Sequence, residues 1–328
     1  MVIYNYVTAG FISYDEIILN SQNYKIFGGS VIYSSIQASL LGCRVGLISA
    51  IGEKDEDELL RLLKNYNVEI IKLGVYQGET LSFVNEYIGN DRMQKVKNHP
   101  KLTIKFNIEN FEAECFHLGP IINEFSFEEI EKARKISKYL ALDIQGFCRT
   151  IESSLIKKRK IEDISFLKFI DILKCDLDEL YCLSNNNDPK QIMEEILDEG
   201  CKILLLTLGD KGSIVISKHK TYYIPAHIPE KQVDPTGAGD VYLTSFLISY
   251  SRSHDLEYAG LFASSASSFV LENIGYKGIS NKQKIEERMR KQKLKAREIE
   301  FDEIPFYKWA GPDLNRGPSP RKGDILPG

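Results

Sequence analysis

Residues 233–250 read VDPTGAGDVYLTSFLISY, a stretch whose residue types and spacing can do chemistry. Gly237 and Gly239 let the backbone turn its N–H groups toward one point with no Cβ in the way. A strand-like lead-in ends at Asp234-Pro235, a small-residue loop follows, and an apolar-periodic helix begins near Asp240. Unpaired N–H groups at a helix N-terminus, reinforced by the helix dipole, attract phosphate-like charge. Asp240 stands at the edge of that anion hole, where a carboxylate can take a proton from an attacking hydroxyl. The combination points to phosphoryl transfer to an alcohol. A Walker loop would need a Lys here, and GxGxxG fails because Tyr242 occupies the third glycine position. An isolated GxGD is equally explained by Asp240 stabilising a first helical turn, worth about 0.5–2 kcal/mol as a cap, so other segments must decide.

The elements that would position this loop alternate. Short apolar runs at Val2 to Val7, Val45 to Ile51, Cys115 to Leu118, Tyr139 to Ile144, Phe169 to Leu173 and Ile203 to Thr207 read as strands, with helical periods between them. That alternation predicts an α/β fold with a mostly parallel sheet covered by helices. Ser30 to Leu41 reads as a helix after a Gly pair, Ser126 to Tyr139 opens on the capping-box pattern SFEE, and Asp188 to Glu199 opens on Asp-Pro. Residues 12–27 and 75–111 break the alternation and are expected to form a small accessory β sheet able to serve as a lid, or simply two surface hairpins. Residues 282–297 form a basic run, usually a solvated face. Residues 311–328 hold eight Gly and Pro in 18 positions, and a disordered tail is expected there after an α/β domain at about 1–300.

Composition narrows the function classes. Lys and Arg total 42 against 46 Asp and Glu, so a net charge of -4 argues against a nucleic-acid partner. Six cysteines with no CxxC and no His at ligand spacing exclude a zinc knuckle or disulfide framework. No apolar run reaches the roughly 18 residues of a spanning helix, so a cytoplasmic protein with a small-molecule substrate and no membrane partner is expected.

DPTGAGD resembles the C-terminal signature of the ribokinase-like PfkB carbohydrate kinases, and further landmarks follow that family's order. GFISYDEI (residues 10–17) is similar to the first strand-turn, and FGGSVIYSSIQASLLGCRVGLISAIGEKD (27–55) to the Gly-Gly signature. DILKCDLDEL resembles the Asn-x-x-Glu region, LLLTLGDKGSIVI (204–216) the segment lining the nucleotide, and FASSASSFVLENIG (262–275) the late helix beside the adenine. The resemblance spans residues 1 to about 280. It implies a ribokinase-like fold with a β lid, and an ATP- and Mg²⁺-dependent kinase acting on a small sugar, cyclic polyol or nucleoside.

The roles it implies fall on particular residues. Asp240 becomes the general base, and the amides of Gly237, Ala238 and Gly239 bind the transferring phosphoryl, with Thr236 at the loop's entry. Asp176 and Glu179 stand in the Asn and Glu places and would hold Mg²⁺ through water, although two acids at a helix start need no metal. Thr207, Gly209 and Gly212 lie at a strand end where open α/β sheets bind ligands, although a hairpin turn explains them nearly as well. Ser264 stands where some members carry an Asn near the adenine. On the substrate side Asp15 offers a bidentate acceptor for vicinal hydroxyls and Gly28-Gly29 lets a polyol approach the backbone. Tyr33 departs from the Asn of ribokinases, which moves ribose down the order. That aromatic residue, LDIQGFCR (Asp143, Gln145, Arg149) and SFVLENIG look more like inositol kinases and other sugar kinases of the family. Arg149 is either a phosphate contact or a surface Arg. His99 and His117 face the same choice, since a lone His is more often structural. Asp234 stands where some relatives hold a monovalent cation, though nothing evident completes such a site. Lid strands in this family can pair between subunits, which leaves a homodimer open. The alternative reading is a non-catalytic binder that retains the fold. An NAD-dependent oxidoreductase lacks its glycine fingerprint and downstream acid.

Overall fold

In the computed structural model, which describes residues 1–19, 22–88, 91–106, 110–301 and 304, ten strands build the main sheet. Their order is Arg297–Glu298, Thr221–Ile224, Ser213–Ser217, Ile203–Thr207, Ile172–Asp176, Ser137–Asp143, Phe111–Leu118, Val2–Ala9, Val45–Gly52 and Val68–Tyr76. The seven from Ile203–Thr207 onward run parallel, and the first three add as antiparallel hairpins.

Parallel strands of this kind are apolar on both faces, since helices cover each. Adjacent residues of the first strand show it. Tyr6 belongs to the core under helices Ser30–Leu40, Ala238–Ser253 and Leu256–Val270, while Val7 belongs to the core under Phe127–Lys135 and Pro189–Asp198. The helix starts follow local chemistry. The Asp188 side chain accepts from Lys190 N–H with Pro189 at the first position, Asp255 accepts from Tyr258 N–H, and Asn281 accepts from Lys284 N–H.

A second, six-stranded sheet lies apart from the first, in the order Arg149–Glu152, Leu155–Lys158, Asp91–Asn98, Ser82–Ile88, Ser13–Leu19 and Gln22–Gly28. Both segments that broke the alternation therefore supply strands to it. A third hairpin, residues 149–158, joins them through Leu155 opposite Lys95 and was not expected. Val68–Tyr76 extends the main sheet instead, as a half-exposed edge strand whose mixed pattern carries little period-two signal.

Several boundaries differ from the sequence expectation. The strand sought at Phe169 to Leu173 is Ile172–Asp176, preceded by a 3-10 turn at Ser165–Phe169, because its C-terminal half carries Lys174 and Asp176 for reasons an apolar count cannot see. No strand leads into Asp234-Pro235. The SFEE box does not close: Ser126 makes no side-chain cap, and Glu129 turns inward to accept from Phe106 N–H and Lys132. The basic run is a helix, Lys282–Gln292, mostly solvated as expected, but Arg288 is buried on Phe269 and bonded to Ser268 and Glu272. The tail at 311–328 lies outside the described residues. Among those described, no helix is long and apolar enough to cross a membrane.

Candidate active site

The small-residue turn sits at the mouth of the parallel strands. Its helix begins at Ala238, two residues before Asp240, with Gly237 as N-cap in the left-handed region at φ 85°. A Cβ on Gly237 would lie 2.1 Å from the Tyr33 ring, so both backbone and space demand glycine there. Tyr33, expected on the substrate side, is correspondingly buried beneath the loop. The Ala238 N–H donates to the Pro235 carbonyl at 3.2 Å, which closes the turn on itself and leaves the Gly237 and Gly239 amides for an anion. That is one amide fewer than the sequence suggested.

Asp240 occupies the first helical turn, partly buried, and its carboxyl pKa is raised to about 6. Burial is the main cause and the Asp143 carboxylate the next, while Ser30, Lys174 and Arg149 act the other way. The Asp240 carboxyl and the cations therefore meet at one point, and Arg149 stands among them although it belongs to the second sheet.

Lys174 is the residue the sequence reading missed. It is 5% exposed, pairs in register with Asp143 on the neighbouring strand, and donates to that carboxylate at 2.9 Å. Glu179 lies 3.8 Å away. A Cβ on Gly239 would come within 3.1 Å of the Lys174 ammonium, so the cation lies directly against the glycine turn. Burial opposes its charge, yet Asp143, Glu179 and Asp176 outweigh that and hold its pKa well above the usual value. The available signal was a Lys inside an apolar strand, a residue type almost never buried unless paired.

Asp176 and Glu179 form a reciprocal capping box on helix Leu177–Leu180, each carboxylate accepting from the other's N–H at 2.7 and 2.8 Å. One oxygen of each is thereby committed. Burial first, then Glu179, pushes the Asp176 carboxyl up. Lys158 of the third hairpin reaches across to Asp178 at 3.1 Å and Asp176 at 3.9 Å.

The substrate-side residues meet one another. Asp15 is buried on Ser13–Leu19, accepts from Phe83 N–H at 3.3 Å, and its Oδ2 would lie 2.6 Å from a Cβ on Gly28. Gly29 caps the helix that Ser30 begins, at φ 85°, so the glycine pair connects Asp15 to a side chain acting on Asp240.

The residues expected around the nucleotide are placed less uniformly. Thr207 ends its strand opposite Asp176 and donates to the Cys175 carbonyl at 3.3 Å. Gly209 turns into open space, whereas a Cβ on Gly212 would strike the Ile224 carbonyl at 2.2 Å, so Gly212 shapes the hairpin. Ser264 is spent on the protein. Its hydroxyl donates to the Pro225 carbonyl and accepts from His227 N–H, which fastens loop 225–227 to the late helix. Asp234 is buried and accepts from the N–H groups of Thr236 and Gly275. No group of three or more His, Cys, Asp and Glu suited to a metal occurs among the described residues.

Compared with known families, residues 1–283 match the pfkB family carbohydrate kinases. The chain is a member of that family. This kinase is 27% identical to a nucleoside kinase of Methanocaldococcus jannaschii, over 82% of the chain and 87% of the relative. In structure it resembles a pyrophosphate-dependent kinase of the ribokinase family complexed with a pyrophosphate analogue and myo-inositol, at a TM-score of 0.74 and 24% identity over 86% of this chain and 99% of that one. An E. coli protein described as a ribokinase II, complexed with ATP and Mg²⁺, has a TM-score of 0.71 at 22% identity over 88% and 99%. The α/β architecture with its largely parallel sheet is thus the ribokinase fold.

Proposed function

We propose that this kinase transfers the terminal phosphoryl group of ATP to a hydroxyl of a small sugar, cyclic polyol or nucleoside, with Asp240 as general base and the 237–239 turn as anion hole. The observation that carries the reading is the meeting of a carboxyl whose pKa is raised to about 6 with a glycine turn and the buried ammonium of Lys174. A base of that pKa is ionised at neutral pH yet basic enough to take the proton of an alcohol as its oxygen attacks. The new P–O bond forms as the bond to the leaving diphosphate breaks, and Asp240 later returns the proton to solvent. Lys174, Arg149 and the free amides face the charge that develops on the phosphoryl, the term that usually dominates such transfers.

The donor set at Asp176 and Glu179 suits a magnesium ion that keeps most of its water, since one oxygen of each carboxylate is taken by the cap. Bound beside the phosphates, Mg²⁺ would supply charge neutralisation. Asp15 and Gly28-Gly29 support a polyhydroxyl acceptor, and the second sheet that carries them is the natural lid. The relatives support nucleosides and myo-inositol among the acceptors already expected, and add pyrophosphate as a donor to test.

The test is ADP release from ATP, and phosphate release from pyrophosphate, with myo-inositol, ribose, fructose, adenosine and cytidine. Turnover with at least one pair is expected, whereas tight binding of one acceptor with no turnover on any would make the protein a binder. With the active pair, Asp240→Asn is expected to lower kcat by about 10²- to 10⁴-fold with KM within about threefold. Because the carboxylate is the working form, kcat/KM of the parent enzyme should fall as pH drops through about 6.

A further inference from the structure

A buried run of hydrogen bonds leads from the first turn of the Ala238–Ser253 helix to a histidine that the transfer step leaves unused. Thr244 Oγ1 donates to the Asp240 carbonyl at 2.8 Å. The Tyr6 hydroxyl lies 3.0 Å from Thr244 Oγ1 and 2.7 Å from His117 Nδ1. Each hydroxyl has a single proton to give. With Thr244 giving its proton to the carbonyl, the run is satisfied when Tyr6 donates to Thr244 and His117 Nδ1 donates to Tyr6. Burial, helped by the Lys174 charge, lowers the imidazole pKa to about 3, so at neutral pH the ring is uncharged and carries one proton. In that arrangement Nε2 is a bare acceptor.

Nothing among the described residues donates to it. Nε2 is buried without a hydrogen-bond partner on a side chain that is 0% exposed. Buried acceptors in native proteins are nearly always satisfied, so an unmet one calls for a donor the chain does not supply. Its position says what that donor belongs to. His117 stands beside Thr8 and Ala141 near the C-terminal ends of the parallel strands, the side on which open α/β sheets bind ligands. The point where a Cβ on Gly119 would sit is 3.5 Å from Nε2 and 2.3 Å from the Ser30 hydroxyl. Ser30 in turn acts on Asp240 and follows the Gly28-Gly29 pair.

We propose that His117 Nε2 accepts a hydrogen bond from a second hydroxyl of the acceptor alcohol, adjacent to the one Asp240 deprotonates, and so selects polyols over simple alcohols. The inference deepens the proposed function and rests on it. In this arrangement one hydrogen-bond run fixes both the turn carrying the base and the tautomer of the reading group, so the two are held in a constant relation. Asp15 reads the acceptor from the second sheet and His117 from the main one.

The test compares kcat/KM for cytidine with its 2′- and 3′-deoxy analogues, and for myo-inositol with its mono-deoxy derivatives, in the parent enzyme, His117→Phe and Tyr6→Phe. The parent should lose about ten- to a hundredfold on one deoxy analogue, and both variants should treat that analogue and its parent alike. Equal losses on every acceptor, or no loss, would overturn the proposal. Nitrogen NMR of the labelled parent enzyme gives a readout independent of turnover. The ring should carry its proton on Nδ1, and the Nε2 signal should move when cytidine or myo-inositol binds. A proton on Nε2, or a signal indifferent to the bound acceptor, would overturn it too. If no acceptor is turned over yet Nε2 still responds to one, the kinase reading fails and the ligand contact stands.

Discussion

In the proposed function the phosphate end and the substrate end of this molecule are built differently. Asp143, Lys174 and Asp176 ride on adjacent parallel strands of the main sheet, in register and packed between two cores, and the turn at 237–239 is pressed against Tyr33 and Lys174. Asp15 and Arg149 ride on the second sheet, whose six strands have their own ladder. A group that stabilises a transferring phosphoryl must be placed within a fraction of an ångström, and neighbouring strands of a covered sheet give that stiffness. A group that recognises an acceptor can sit on an element that moves with it. Under the proposed function most groups facing the phosphoryl lie on the main sheet, and the second sheet adds Asp15 toward the acceptor and Arg149 toward the phosphoryl, the two layers meeting at Gly28-Gly29-Ser30.

The sharpest way to break this comparison is at Lys174. Lys174→Met leaves Asp143 and Glu179 buried without their cation, so a loss of about 3–5 kcal/mol in stability is expected by denaturant titration. It also removes a charge that holds the Asp240 carboxyl down, so the acid limb of kcat/KM should shift above 6. An unmoved limb in the folded variant would separate Lys174 from the base.

At the other end, Asp15→Asn should raise the acceptor KM by about ten- to a hundredfold while kcat stays within about threefold, as loss of a charged hydrogen bond to substrate implies. A kcat loss as large as that of Asp240→Asn would erase the division between the two layers. The smallest effect is expected at Ser264. Ser264→Ala should lower stability by about 1–2 kcal/mol through the freed loop 225–227 and leave the KM for ATP within about twofold. A tenfold rise in that KM would return Ser264 to the nucleotide.

What was legible in the sequence follows from where the signal is local. The helix at 189–198 announced itself through Asp-Pro, and the turn at 237–239 through its glycines, of which Gly237 is demanded by both backbone and space. Asp176 and Glu179 were legible as a pair, because a capping box spans three residues of chain. SFEE had the same spacing and failed, since Glu129 found the Phe106 N–H from a distant segment. Tyr33 and Ser264 were read as ligand contacts because they flank the right motifs, whereas packing turned both toward the protein.

The sequence by itself determined the alternation of strand and helix, the glycine turn with its acid and the order of landmarks that place the chain among these kinases, because each depends on residues near one another in the chain. Only the tertiary structure decided that Lys174 lies against the glycine turn, that a hairpin at 149–158 brings Arg149 beside the Asp240 carboxyl, and that His117 presents an unmet acceptor near Ser30. Those relations join residues 65 to 91 positions apart, and sheet register and packing, which carry no local signature, set them.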